Sequence, residues 1–379
     1  MSTWRVPLFD TTFGPEEEAA VVRPLRARWL TMGEEVLRLE EELCAYTGAG
    51  HAVAVSNCTA ALHLVCAALG VGPGDEVVCP ALTFVATANA PMALGAEVRF
   101  CDAAGPDDLT MDVASALAQV SPRTKAVMAV HYAGFACRME ELLPAAGARS
   151  VAVVEDCAHA LFTDYRGTKL GLHGKAGCFS FFSNKNATCG EGGAVLTDDP
   201  ALADRVRLLR AHGMTSATLD RHRGRATSYD VLAPGYNYRL DEIRAALLRV
   251  QLRRLPGFLG RRRELFGRYA DRLHDTPVTL PFAAGGRRAE VPHTAVHILP
   301  VLLPPGADRA GVMARMKEAG VQTSIHYPPV HLFTAYRGAA SLPRTEALAA
   351  RQLTLPLYPA MTNADVDLVV SALTAALRV

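Results

Sequence analysis

Between His51 and Thr197 the chain alternates short apolar runs with helix-like stretches of about ten residues. The first runs are His51–Val55, Glu76–Cys79, Glu97–Cys101, Lys125–Tyr132 and Val151–Asp156. Two more begin at Gly177 and Ala194. Most lack a polar alternate, so neither face of such a strand suits water. Buried strands joined by helices predict an α/β fold: a three-layer sandwich with a mostly parallel central sheet. Sheets of this kind bind ligands just past the carboxyl ends of their strands. Polar residues at those ends are therefore the first candidates for a site.

Two of them make a pair. Lys185 stands where the run Gly177–Phe182 gives out, before the glycine-rich turn Gly190-Glu191-Gly192-Gly193. The chain has five lysines against 34 arginines, yet lysine occupies this position. An amine can shed its proton and condense with a carbonyl, whereas a guanidinium cannot. Asp156 closes another run, 29 residues before Lys185. A carboxylate there can pair with a pyridinium nitrogen, and lysine plus carboxylate is the protein's share of pyridoxal phosphate chemistry. Taken singly, Asp156 also fits the cap of the following helix, and Lys185 a surface turn.

The remaining totals narrow the class. At 379 residues and 50% hydrophobic, the chain can bury a large core in two subdomains. A net charge of +1 argues against a nucleic-acid surface. No apolar run reaches the length of a membrane span, and the N-terminus lacks a basic region followed by an apolar stretch. The nine cysteines include no CxxC pair and sit mostly in apolar segments. They read as buried thiols of a cytosolic protein, with no disulfide framework and no metal site.

Glu155-Asp156-Cys157-Ala158-His159-Ala160, Phe179-Ser180-Phe181, Ser183-Asn184-Lys185-Asn186 and Gly190-Glu191-Gly192-Gly193 together resemble the sugar-nucleotide aminotransferases of the aspartate-aminotransferase superfamily. The resemblance runs from Pro7 to the C-terminal helix. It implies the pyridoxal-phosphate fold type I: an N-terminal segment (1–30) packing near the small domain, a large cofactor-binding domain (31–255), and a smaller C-terminal α+β domain (256–379). It implies that Lys185 carries the cofactor, Asp156 meets the ring nitrogen and His159 lies near the ring. Phe84 would stack on the pyridine face. Cys58, Thr59 and Ser180 would hold the phosphate, at a strand-to-helix turn suited to anions. The family's usual glycine in that turn is Cys58 in this chain. On residue pattern alone, Thr59 equally fits an N-cap and Phe84 a core position.

Pro234-Gly235-Tyr236-Asn237-Tyr238-Arg239 matches a family signature whose Asn reaches the neighbouring subunit's cofactor phosphate, which implies a homodimer with shared sites. A helix-capping Asn237 is the alternative. Thr31, in a turn at the site mouth, and His326 and Tyr327, in an extended Pro-flanked segment, are candidates for substrate contact. Arg221, Arg223 and Arg225 fall in a polar loop that fits a solvated surface or a lid. His159, Leu209–Met214 and Tyr236–Tyr238 are most similar to members acting at C4 of 4-keto-6-deoxy sugars. The implied activity is amination of a nucleoside-diphosphate 4-keto-6-deoxy-hexose, dTDP-linked, with L-glutamate as donor. Such a step serves biosynthesis of an amino-deoxy sugar for a glycosylated natural product or surface glycan, in the cytoplasm. The alternatives are a C3-keto-sugar or cyclitol aminotransferase, or a non-catalytic nucleotide-sugar-binding relative.

Periodicity also predicts helices Met111–Val120, Ile243–Leu255 and, after Pro256, Gly257–Leu273. It predicts a small-domain strand over Val321–Ile325.

Overall fold

In the computed structural model, which describes residues 4–216, 219, 222–336 and 340–378, the central sheet has seven strands. They are β1 (His51–Val55), β2 (Glu76–Pro80), β3 (Glu97–Cys101), β4 (Thr124–Val130), β5 (Ala152–Asp156), β6 (Ala176–Ser180) and β7 (Gly193–Thr197). Their order is β1-β7-β6-β5-β4-β2-β3. Every neighbouring pair from β6 to β3 is parallel, and β7 alone runs antiparallel to both its neighbours. Asp156 pairs in register with Cys178 on one side and Val130 on the other, so it ends the middle strand of the sheet.

Both faces are covered, as the apolar strands require. On one face α2 (Glu34–Thr47) and α6 (Met139–Gly147) bury Leu39, Leu43 and Leu142. On the other, α3 (Cys58–Ala68), α4 (Ala86–Met92) and α7 (Pro200–Arg210) bury Leu62, Leu64, Val206 and Leu209. The nine cysteines are all free thiols, eight of them buried. Among the described residues no helix is long and apolar enough to cross a membrane.

The long helix α8 (Glu242–Leu273) corrects one expectation: it does not stop at Pro256. Proline removes one backbone donor. Yet Leu248, Leu252, Leu255 and Leu259 form one buried stripe across it, and the helix continues. Beyond that stripe Leu265, Phe266, Tyr269 and Leu273 enter a separate core. There they meet β8 (Leu299–Leu302), β9 (Gln352–Leu355) and α11 (Asn363–Ala376), with α9 (Arg309–Glu318) and α10 (Pro343–Arg351) alongside. The same helix thus serves both cores.

Other local expectations change too. Val321–Ile325 forms only single bridges, Val321 to Val6 and Ser324 to Thr354, while β9 takes the ladder with β8. Gln322 donates its N–H to Val6 and its side-chain oxygen accepts from Leu8, so this segment serves the N-terminal arm. Met111 ends a short strand, and the following helix α5 is Val113–Ala118, because Asp112 accepts from Ser115 as its cap. Asn57, not Thr59, caps α3. Asp241, not Asn237, caps α8. Arg221 lies outside the described residues.

One contact joins the starts of two helices. The buried Glu242 carboxylate accepts N–H groups from Gly33 (2.8 Å), Glu35 (2.9 Å) and Val36 (3.0 Å), capping α2 from across the chain. Glu242→Ala leaves those donors without an acceptor. A hydrogen bond to a charged group contributes roughly 1.5–3 kcal/mol. The variant should therefore lose about 2 kcal/mol or more in urea denaturation of the full chain. A loss below about 0.5 kcal/mol, the range of an ordinary surface change, would mean the cap contributes little.

Candidate active site

The carboxyl ends of the parallel strands open into a cavity of about 400 Å³. Cys58 and Thr59 line it from the first turn of α3, after β1. Phe84 follows β2, Asp156 ends β5 and His159 follows it, Ser180 ends β6, and Lys185 comes three residues past Phe182. His326 and Tyr327 close it from the side of the second core. Gly193 makes the close packing possible: a Cβ there would lie 2.4 Å from the backbone carbon of Asn57 and 2.7 Å from Cys58 N. Only glycine lets β7 press against the turn that presents the first N–H groups of α3.

Asp156 is buried, with Oδ2 accepting from the Thr87 hydroxyl at 2.8 Å and Oδ1 from Ala158 N at 3.1 Å. Burial raises its carboxyl above the usual range, against the pull of Thr87, Ala158 and Lys185. An added positive partner would hold it ionised. Thr87 is itself bonded to Thr83 at 2.9 Å. Burial pushes the half-buried Lys185 down to about 8, against the opposing influence of Cys58 and Asp156. At pH 7 such an amine is neutral in about a tenth of molecules, roughly 300-fold more than an unperturbed lysine.

His159 is buried, and burial, Lys185 and His326 push its pKa well below normal, so it is neutral. Its Nδ1 accepts from Ala133 N at 3.3 Å. The proton therefore sits on Nε2, which faces the Tyr327 hydroxyl at 3.0 Å. Tyr132 donates its hydroxyl to the His326 carbonyl. His326 Nδ1 meets Thr354 Oγ1 at 3.0 Å, and burial with Lys185 pushes its pKa down to about 4. Phe84 is exposed on the opposite wall, its ring 5.7 Å from that of Tyr327.

Two candidates lie elsewhere. Thr31 is exposed in the turn before α2 and does not line this cavity. Asn237 is exposed and bridged to Ala211, away from its own chain's cavity. Its neighbours Tyr236 and Tyr238 stack 5.1 Å apart and meet His63 edge-on. Sequence reasoning missed Thr87, Glu191, Asn186 and His297. Lys185 Nζ lies 3.3 Å from His297 Nε2, and His297 Nδ1 lies 2.9 Å from Asn186 Oδ1. Asn186, next to the lysine, was in plain view. His297, 112 residues away, carried no local signal.

These residues fit pyridoxal phosphate. The amine is partly neutral, the buried acid makes no ion pair among the described residues, and a helix N-terminus with Thr59 and Ser180 nearby suits a phosphate. The buried Oδ1 of Asn184, on the cavity wall, has no hydrogen-bond partner among the described residues.

Residues 12–374 match the DegT/DnrJ/EryC1/StrS aminotransferase family. The aminotransferase TlmJ from Streptoalloteichus hindustanus is 34% identical with a TM-score of 0.90, covering 98% of this chain and 99% of its own. DesV from S. venezuelae is 34% identical with a TM-score of 0.86, covering 96% and 95%. PseC from Helicobacter pylori, an aminotransferase in the biosynthesis of pseudoaminic acid, is 26% identical with a TM-score of 0.89, covering 98% and 99%. The chain belongs to the DegT/DnrJ/EryC1/StrS family and is a pyridoxal-phosphate-dependent aminotransferase.

Proposed function

We propose that the protein aminates C4 of a nucleoside-diphosphate 4-keto-6-deoxy-hexose, dTDP-linked, with L-glutamate as amino donor, in making an amino-deoxy sugar. The observation that carries the chemistry is Lys185, a partly neutral amine facing the same cavity as the buried Asp156. The choice of a sugar is supported by the relatives, among them a sugar aminotransferase, CalS13 from Micromonospora echinospora, 29% identical over 98% of this chain. The C4 position rests on His159, on Leu209–Met214 and on the Tyr236-Asn237-Tyr238 run.

The cofactor, when bound, supplies an electron sink for negative charge at the reacting carbon. This chain's residues do the rest. Lys185 Nζ takes the proton from that carbon and returns it on the other side of the transfer. Asp156, oriented by Thr87 and Ala158, holds positive charge on the ring nitrogen. Thr59, Ser180 and the first turn of α3 bind the phosphate. Phe84 would cover the ring, while His326 and Tyr327 would meet the sugar. Asn237 would reach the phosphate bound by a second copy, so that two chains would build each site, with Thr31 at its mouth.

The test is the visible spectrum of the purified protein before and after L-glutamate, followed by 4-keto and 3-keto nucleotide sugars with the product read by NMR. Cofactor absorbance that changes with L-glutamate, then a 4-amino product, is expected. A 3-amino product would overturn the C4 assignment. Lys185→Ala should lose the cofactor-linked absorbance and the transfer together, and an unchanged spectrum with full activity would sink its role. Asp156→Asn should cut the transfer rate on the order of 10²–10³-fold, the scale for losing one fixed electrostatic partner. Thr87→Val, which keeps the carboxylate but loosens it, should cost about 10-fold. Equal loss in both variants would place Thr87 in a different role.

A further inference from the structure

Lys185 and Asn186 are adjacent in sequence, yet they meet opposite nitrogens of one imidazole, that of His297. The bonding around Asn186 has one solution. Its Nδ2 lies 2.8 Å from the carbonyl of Ala295, which can only accept, so the amide nitrogen points there. Its Oδ1 then faces His297 Nδ1 at 2.9 Å, and an amide oxygen can only accept. The proton of His297 must therefore sit on Nδ1. The bare lone pair of Nε2 faces Lys185 Nζ at 3.3 Å.

The backbone holds this ring from both sides. His297 N donates to Ala133 O at 2.8 Å, and its carbonyl accepts from Arg262 Nη1 at 3.0 Å. Arg262 is buried and also bonds Leu357 O at 3.0 Å. The groups facing the ring are Lys185, His159 with its ring centroid 4.5 Å away, Arg262 and His326. Burial and the positive charge of Lys185 push His297 well below its normal pKa, so it does not take a second proton.

We infer that His297, locked by Asn186 in the Nδ1–H form, is a positioning residue for Lys185, its Nε2 accepting a hydrogen bond from the amine whenever the lysine is free of cofactor. The inference rests on Lys185 being the cofactor lysine. With the acceptor in place, a neutral amine spends an N–H on His297 and keeps its lone pair for the cavity. With the opposite tautomer, Nε2–H would take that lone pair and the amine would lose its nucleophile.

The experiment uses the full chain freed of cofactor. The rate at which it captures added pyridoxal phosphate is followed by absorbance across pH. The wild type should show a half-rise near pH 8. His297→Leu removes the acceptor and should lower the plateau rate about 10-fold or more. Asn186→Leu frees the ring to flip, so its half-rise should move below the wild-type pH while its plateau also falls. His297→Gln keeps a donor toward Asn186 and an acceptor toward Lys185, and should stay within about 3-fold of wild type. Both Leu variants capturing cofactor with the wild-type plateau and midpoint would overturn the inference. Nitrogen NMR of the unmodified full chain gives a reading that no folding defect can blur. A protonated Nδ1 and bare Nε2 on His297 are expected, and a protonated Nε2 would overturn the inference. Lys185→Ala, run in parallel, separates the two readings. Normal capture in that variant removes the lysine's own role. Lost capture there with normal Leu variants removes only that of His297.

Discussion

Withdrawing water from an ammonium group is the constraint on which this site depends. Burial penalises the charged form of Lys185 and brings its amine within reach of neutrality near physiological pH. Such an amine reacts, but it must also be aimed. Every wall of the cavity contributes to that: the cap of α3 brings the N–H groups, Gly193 brings β7 against them, and the segment beside the second core brings His326 and Tyr327 over the top. The fold's main product is therefore a shaped edge where five strands end or turn.

The lowered histidine pKa values follow from burial as well. His159, His297 and His326 crowd one side of Lys185, and none can hold a proton beside it at low cost. Their tautomers are set by what lies behind them: a backbone N–H for His159 and an asparagine oxygen for His297. Hydrogen-bond direction in this cavity is thus imposed from outside it.

Much of this was legible in the sequence, and for a clear reason. Lys185, Asp156, Ser180 and the Cys58–Thr59 turn all sit at strand ends, and strand ends can be found from apolar runs alone. Their convergence follows from a parallel sheet. What stayed hidden depends on contacts between distant segments. Thr87 lies 69 residues from the acid it orients, and His297 lies 112 residues from the lysine. The break expected at Pro256 failed because tertiary burial on both sides outweighs one missing donor. The strand expected at Val321–Ile325 failed because the N-terminal arm occupies its edge. The alternative readings of Thr59 and Asn237 as helix caps give way to Asn57, two positions earlier, and Asp241, four positions later, a difference that side-chain geometry decides and composition does not.

The helix Glu242–Leu273 is also a lever. At 1.5 Å per residue, its 32 residues span about 48 Å, so one degree of tilt moves its far end by roughly 0.8 Å. Its first residue pins α2 and its last turn sits in the second core. Arg262 rides between them and grips the carbonyls of His297 and Leu357. Any misalignment of the rod is delivered, through one guanidinium, to the floor beneath the reactive amine. Accuracy at the chemistry is thus a property of one long helix anchored at both ends.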